Sequence, residues 1–197
     1  MYRAVYLAAV AGLIIVSPVF CGCTQAGEGK PSRTPDCVYV GTPNDVAAKM
    51  LEMAKITKDD VVCDPGCGDG RIIIAAAKKH GCRAVGYEID PKLVAEGQRL
   101  AKKRKVDDLV KIEEQDIFKA DYSQFNVVVM YLLPDMIVKL LPQLEKMKDG
   151  SRIVAHDYSI RGSKADDSTS FNSNEDNVSH TVYFYTLPLK KEKAKVE

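Results

Sequence analysis

Between residues 60 and 158, short apolar runs alternate with segments whose apolar positions recur at helical spacing. DVVCD (60–64), AVGYEID (84–90), LVKIEEQD (109–116), FNVVVMYLL (125–133) and SRIVAHDY (151–158) are short, apolar-rich and separated by turn formers, which predicts strands. Thr42 followed by Pro43 predicts a helix N-cap with proline at the first helical position, and Val46, Ala47, Met50, Leu51 and Ala54 then mark one face. RIIIAAAKKHG (71–81) reads as a helix stopped by Gly81, Pro91 opens another that ends near Lys103, and PDMIVKLLPQLEKM (134–147) supplies one more. Strands and helices in this order and of this length imply an α/β fold, a doubly wound and mostly parallel sheet with helices on both faces. RGSKADDSTSFNSNEDNVS (161–179) is polar and serine-rich with almost no apolar anchor, so a mobile loop is expected there. HTVYFYTL (180–187) alternates and is β-branched and aromatic, so it is expected to return as a last antiparallel strand at or near the sheet edge.

The N-terminus follows a different pattern. Residues 4–20, AVYLAAVAGLIIVSPVF, are apolar throughout and follow Arg3, the layout of a signal peptide or membrane anchor. Three fates fit it: cleavage after Ala26, lipidation at Cys23, or retention as an anchor, since about 17 apolar residues lies near the lower limit for a bilayer span. The chain accordingly divides into a leader (1–23), a Gly- and Pro-containing linker (24–37), one folded domain (38–188) and a basic, solvated tail (189–197). The leader places the protein at a membrane or outside it, with a tether holding the domain on the cytoplasmic face as a further option. A formal net charge of +1 with both signs interspersed gives no general electrostatic reason to bind nucleic acid or an acidic membrane surface. The six cysteines lack the paired Cys-x-x-Cys spacing of a tetrahedral zinc site, so no metal is expected, and Cys63 and Cys82 read as buried thiols.

Residues 61–71, VVCDPGCGDGR, carry the most chemistry. In a doubly wound sheet the first strand-to-helix turn is the usual ligand cradle. Gly66, Gly68 and Gly70 would let the main chain approach a ligand closely. Their G-x-G-x-G spacing differs from the G-x-G-x-x-G of dinucleotide sites, and Arg71 stands where the third glycine would be needed. Asp64, directly before the loop, would repel a pyrophosphate but suits a ligand with an amino group. Glu88, at the end of the second strand, can accept two hydrogen bonds from a ribose diol. Asp116, at the end of the third, is placed to accept from an exocyclic adenine amine while Ile117 packs on the ring. Three carboxylates at successive strand ends beside a glycine cradle describe a pocket for a cationic adenosine derivative bearing an amino acid, which is S-adenosylmethionine.

With VGYEID and EEQDIF, this loop resembles the successive motifs of the class I S-adenosylmethionine-dependent methyltransferases over about residues 38–160, a Rossmann-like fold. YVGTP, DPGCGDGRIIIAAA, YLLPD and IVAHDY are similar to a bacterial subgroup related to the ATP synthase c-subunit lysine methyltransferase family. That resemblance implies that Tyr39 and Thr42 line the cofactor pocket from the N-terminal side and that the methyl acceptor is a protein lysine; a small-molecule methyltransferase and a non-catalytic cofactor-binding module are the alternatives. Two departures stand out: Pro65 replaces the usual Leu or Val, and the chain has no Trp where the subgroup carries an Asp-Trp pair after the fifth strand.

Methyl transfer from a sulfonium is an in-line displacement that needs alignment and an unprotonated nucleophile more than a dedicated base. Tyr131, at the end of the fourth strand, is positioned to contact an incoming amine, and Leu132 to Pro134 to shape an apolar channel. MYLLP is not the Asp/Asn-Pro-Pro-Tyr motif of enzymes that methylate planar amines, so nucleic acid is not expected as a partner; the partners are a protein or small-molecule amine and, through the leader, a membrane. His156 and Asp157 end the fifth strand, where alternation is expected to point them to opposite faces, leaving one of them to relay a proton or touch substrate. His80 and His180 read as surface residues without a role.

Overall fold

A computed structural model describes residues 34–192; the leader, most of the linker and residues 193–197 lie outside them. Among the described residues no helix is long and apolar enough to cross a membrane. The elements follow in chain order: α1 (Asn44–Met53), β1 (Val61–Pro65), α2 (Arg71–His80), β2 (Arg83–Glu88), α3 (Pro91–Arg104), β3 (Val110–Glu114), β4 (Val127–Met130), α4 (Pro134–Leu144), β5 (Arg152–His156), β6 (Ser163–Lys164), β7 (Asp167–Asn172), β8 (Ser179–Thr186) and β9 (Lys190–Lys191).

Seven strands form one sheet in the order β3-β2-β1-β4-β5-β8-β7. β1 to β5 are mutually parallel, β8 runs antiparallel to β5, and β7 pairs antiparallel with β8 at the edge. The central strands are apolar at consecutive positions because both faces are covered. In β4, Val127 and Val129 join α1, α2 and α3 on one face, while Val128 and Met130 pack with Ile137, Leu140 and Leu144 of α4 on the other. Chain order runs outward in one direction from β1 to β3 and in the other from β4 to β5, so it reverses between β1 and β4, the position where such sheets open a crevice at their carboxyl ends.

Several expectations change on contact with the structure. Thr42 does not cap α1: Pro43 holds the N-cap position, its carbonyl accepts from the Ala47 amide, and the first helical amide, that of Asn44, goes to the Glu175 carboxylate at 3.0 Å. The stretch 161–179 is not a free loop, because Asp167–Asn172 pairs residue by residue with Ser179–Phe184 as β7. An edge strand needs only one covered face, so its polar composition, broken by Phe171 packing inward, suits an edge exposed to water. HTVYFYTL is antiparallel and near the edge, as expected, one strand in from it. Lys190 and Lys191, read as the start of a solvated tail, pair with β6. Cys63 and Cys82 are buried free thiols, as expected.

Candidate active site

The crevice forms where the turns after β1, β2, β3 and β4 meet the segment that precedes α1. It is an open cleft of about 710 Å³, counting the solvent space at its mouth, with Gly66, Glu88, Ile117, Tyr131 and Tyr39 in its wall. Tyr39, Gly66 and Tyr131 also border a smaller recess of about 280 Å³ that adds Thr42, Asp64 and Arg71. Cleft and recess thus share walls and bring together residues spread over more than ninety positions of sequence.

The glycine loop is built by left-handed backbone. Gly66, Gly68 and Gly70 have φ of +75°, +55° and +73°. Gly66 and Cys67 donate their amides to the Tyr87 carbonyl at 2.8 and 3.0 Å, which turns the chain sharply out of β1. At Gly68 a Cβ would stand 2.0 Å from the Tyr39 ring, so this position must be glycine for the ring to lie on the loop. Gly70 is the N-cap of α2, and a Cβ there would meet Ile112 at 2.5 Å; its role is helix-to-sheet packing.

Residues 38–43 cross over this loop as a strap. Arg71 holds it: its guanidinium donates to both Asp69 carboxylate oxygens at 2.9–3.2 Å and to the Thr42 carbonyl at 3.1 Å. Asp69 also sits at the Tyr39 hydroxyl; burial first, then the Asp69 charge, pushes that phenol up. Arg71, read from sequence only as a misfit to dinucleotide motifs, is thus the clamp between strap and loop, and no local pattern announces it because Thr42 is 29 positions away.

Asp64 closes β1 fully buried. Burial, and then the carboxylates of Glu88 and Asp69, hold its carboxyl well above the usual range. A buried acid among other acids calls for a cation, which an α-ammonium or a sulfonium supplies. Glu88 accepts from the Gly68 amide at 2.9 Å with one oxygen and from the Ile89 and Asp90 amides at 2.7 and 3.0 Å with the other, fixing the cleft wall while it faces the space. Ile117 lines the cleft beside Gln115, but Asp116 between them does not; its carboxylate accepts from the Phe118 amide at 3.1 Å.

His156 and Asp157 lie behind Tyr131 and outside the cleft wall. The Tyr131 and His156 ring centroids are 4.0 Å apart, and Tyr158 lies nearly parallel to Tyr131 at 6.3 Å. Alternation does not separate His156 from Asp157, because β5 ends at His156 and Asp157 turns with φ +59°, which leaves its Oδ2 3.3 Å from His156 Nε2. The Thr42 hydroxyl meets His156 Nδ1 at 3.3 Å instead of capping α1. Burial lowers the His156 imidazole to about 4, against the opposing pull of Asp157. His180 is not a surface residue: it is buried, 2.9 Å from His156 Nε2 and 3.0 Å from Asp157. Burial opposes its charging, but the Asp157 and Asp176 carboxylates outweigh that and raise it.

A glycine cradle at the switch point of a doubly wound sheet, a buried acid facing a recess, and a second acid at the end of β2 define an S-adenosylmethionine-dependent methyltransferase. Comparison with known proteins agrees. Residues 64–167 match the ANTKMT methyltransferase domain, and the chain belongs to that family. It is 40% identical over 158 residues to a protein-lysine N-methyltransferase of Saccharolobus islandicus, covering 79% of this chain and 97% of that protein. It is 38% identical over 107 residues to the human ATP synthase c-subunit lysine N-methyltransferase, 54% of this chain but only 45% of the human protein. An RNA methyltransferase from Salinibacter ruber, crystallised with S-adenosyl-L-homocysteine, shares 39% identity and a TM-score of 0.72 over 80% of this chain and 99% of its own. S-adenosylmethionine is therefore the cofactor.

Proposed function

We propose that the enzyme methylates a lysine amine of a protein. The observation that carries this reading is the wall of the cleft away from Glu88, where Asp36 and Asp90 stand among Val38, Leu132 and Met136. Carboxylates set in apolar surroundings draw in a cation on an aliphatic stem, which describes lysine. The two cations in the adjoining groove are engaged: Arg161 with Asp135 at 3.0 Å and Lys139 over the Phe118 ring at 3.8 Å. The Saccharolobus relative, named for protein-lysine methylation, supports the same acceptor. RNA is the second reading, favoured by the name of the Salinibacter protein, but an acidic wall repels a phosphate backbone that basic side chains would have to neutralise.

In this reading Asp64 takes the amino group of the cofactor, Glu88 the ribose, Ile117 the adenine face with Asp116 at its margin, and Gly66 and Gly68 admit the backbone, with Tyr39 and Thr42 closing over them and Gly70 seating α2. S-adenosylmethionine, when bound, supplies a methyl group already activated on a sulfonium. The chain aligns and dries the acceptor. Tyr131 borders both cleft and recess, and burial followed by the Asp157 charge pushes its phenol up, so it stays protonated and able to donate a hydrogen bond at neutral pH. Leu132 and Met136 keep water out, which depresses the amine's pKa and favours the neutral nucleophile. His156 and Asp157 act from behind Tyr131 by fixing its ring. Residues 1–23 tether the domain 38–188 to a membrane through the linker.

The deciding experiment is transfer of tritium from labelled cofactor into whole lysate, followed by digestion with protease or ribonuclease. Label in protein bands, lost when lysines are reductively dimethylated beforehand, is expected. Label removed by ribonuclease, or found only in solutes, overturns the assignment.

A further inference from the structure

We propose that His156, Asp157 and His180 form a binding site for a divalent metal ion of the zinc class, behind Tyr131 and separate from the cofactor cleft. The site is read from geometry and does not depend on which acceptor is methylated. Three donor atoms converge: His156 Nε2 lies 2.9 Å from His180 Nδ1, His180 Nδ1 lies 3.0 Å from Asp157 Oδ2, and that oxygen lies 3.3 Å from His156 Nε2. Ligands about 2.0–2.2 Å from a tetrahedral zinc ion stand about 3.3 Å apart, so the triangle would need to open by only a few tenths of an ångström. Two imidazoles and one carboxylate are also the donor set that such ions favour over magnesium or calcium.

Each ligand is held from its far side. His156 Nδ1 faces the Thr42 hydroxyl at 3.3 Å, His180 Nε2 faces Asp176 Oδ2 at 3.1 Å, and Asp157 Oδ1 accepts from the Thr181 amide at 2.9 Å. Outer partners of this kind set the tautomer and ring orientation of metal-bound histidines; the pairing of His180 with Asp176 has the form of a carboxylate–histidine–metal relay. Burial adds to the case. Both histidines are nearly inaccessible, whereas a quarter of the Asp157 side chain is exposed and leaves one side for entry and for a water ligand. Two carboxylates, Asp157 and Asp176, stand against the two imidazoles, and a divalent ion is the counter-charge such a donor set takes. The left-handed φ of +59° at Asp157 is the turn that brings its carboxylate beside His156. Such an ion would pin the end of β5 to β8, the β7–β8 loop and the strap at Thr42, directly beneath the Tyr131 ring. Its role is to hold that ring, and no methyl group or electron passes through it.

The test uses the untagged full chain in detergent, stripped with chelator and titrated with Co²⁺ and with Zn²⁺. About one ion per chain is expected, with the visible absorption bands of four- or five-coordinate Co²⁺. His180→Ala should lose those bands and Asp176→Asn should weaken binding about tenfold, the usual effect of removing an outer partner, while both still bind S-adenosylhomocysteine. No stoichiometric binding by the unaltered chain overturns the proposal, as does a His180→Ala protein that binds Co²⁺ as well as the parent. Should His180→Ala lose S-adenosylhomocysteine through misfolding, Asp176→Asn carries the comparison: unchanged Co²⁺ affinity there overturns the outer-partner arrangement and with it the site.

Discussion

At the scale of single residues, Asp64 shows how binding and stability oppose each other. Its carboxyl is raised above the ordinary range by burial and by Glu88 and Asp69, so between the unfolded and folded values the folded chain holds the extra proton. Stability from this group is therefore present at low pH and declines as pH rises past the ordinary carboxylate range. Asp64→Asn removes the titration. Thermal scans from pH 4 to 8 without cofactor should show the variant gaining on the parent as pH rises, by about 1–2 kcal/mol at the upper end, the size of gain usual when a functional strain is relieved. Its affinity for S-adenosylhomocysteine should fall at least about tenfold, or about 1.4 kcal/mol. A variant less stable than the parent at pH 8 would make Asp64 a structural acid instead of a ligand. The meeting of Asp64, Gly66 and Glu88 around one crevice was legible in sequence because turns at successive strand ends of a doubly wound sheet converge there. Arg71, Asp176 and His180 were not, since each acts on residues brought near only by the fold, and a buried histidine carries no mark in a polar surrounding.

At the scale of elements, the five parallel strands and four helices follow from apolar runs and helical spacing, and their observed boundaries differ from the expected ones by a few residues. What failed was the polar edge. β7 turns only Thr169 and Phe171 inward, too short a stripe to read, and its pairing with β8 supplies order that its side chains do not. A second tie that spacing does not reveal is Asp60, buried between the end of α1 and the sheet. It accepts from the Thr57 amide at 2.7 Å and from Asn126 at 2.8 Å and is ion-paired with Arg152, which also donates to the Ala54 and Lys55 carbonyls at 2.7 and 3.0 Å. Removing one partner strands the other. Asp60→Ala should cost about 3 kcal/mol in urea unfolding, in the range for breaking a buried ion pair, with S-adenosylhomocysteine affinity little changed because Asp60 lies at the opposite end of β1 from the cleft. A loss below about 1 kcal/mol would class the pair with exposed ones.

For the whole molecule, the cleft and the leader make demands on where the domain sits. The cleft takes S-adenosylmethionine, which is made in the cytoplasm, and such an enzyme has no use in a compartment without the cofactor. Residues 4–20 are apolar throughout, and the 14 residues of the linker from 24 to 37 would reach about 45 Å if extended, enough to let a domain turn its cleft toward a neighbouring protein at a bilayer surface. Both demands are met if the leader is retained and the domain faces the cytoplasm. Protease added to spheroplasts should therefore leave residues 38–188 intact, and the same protease should digest them once the membrane is opened, with the uncut chain sedimenting in the membrane fraction. Digestion from outside, or a mature N-terminus beyond residue 23, would place the domain where cofactor has to be delivered to it. A cytoplasmic tether of the kind proposed also predicts which acceptors are reached: transfer of label in membrane-containing lysate should exceed transfer in the cleared soluble fraction at equal protein, and equal labelling of the two would mean that residues 1–23 play no part in choosing the substrate.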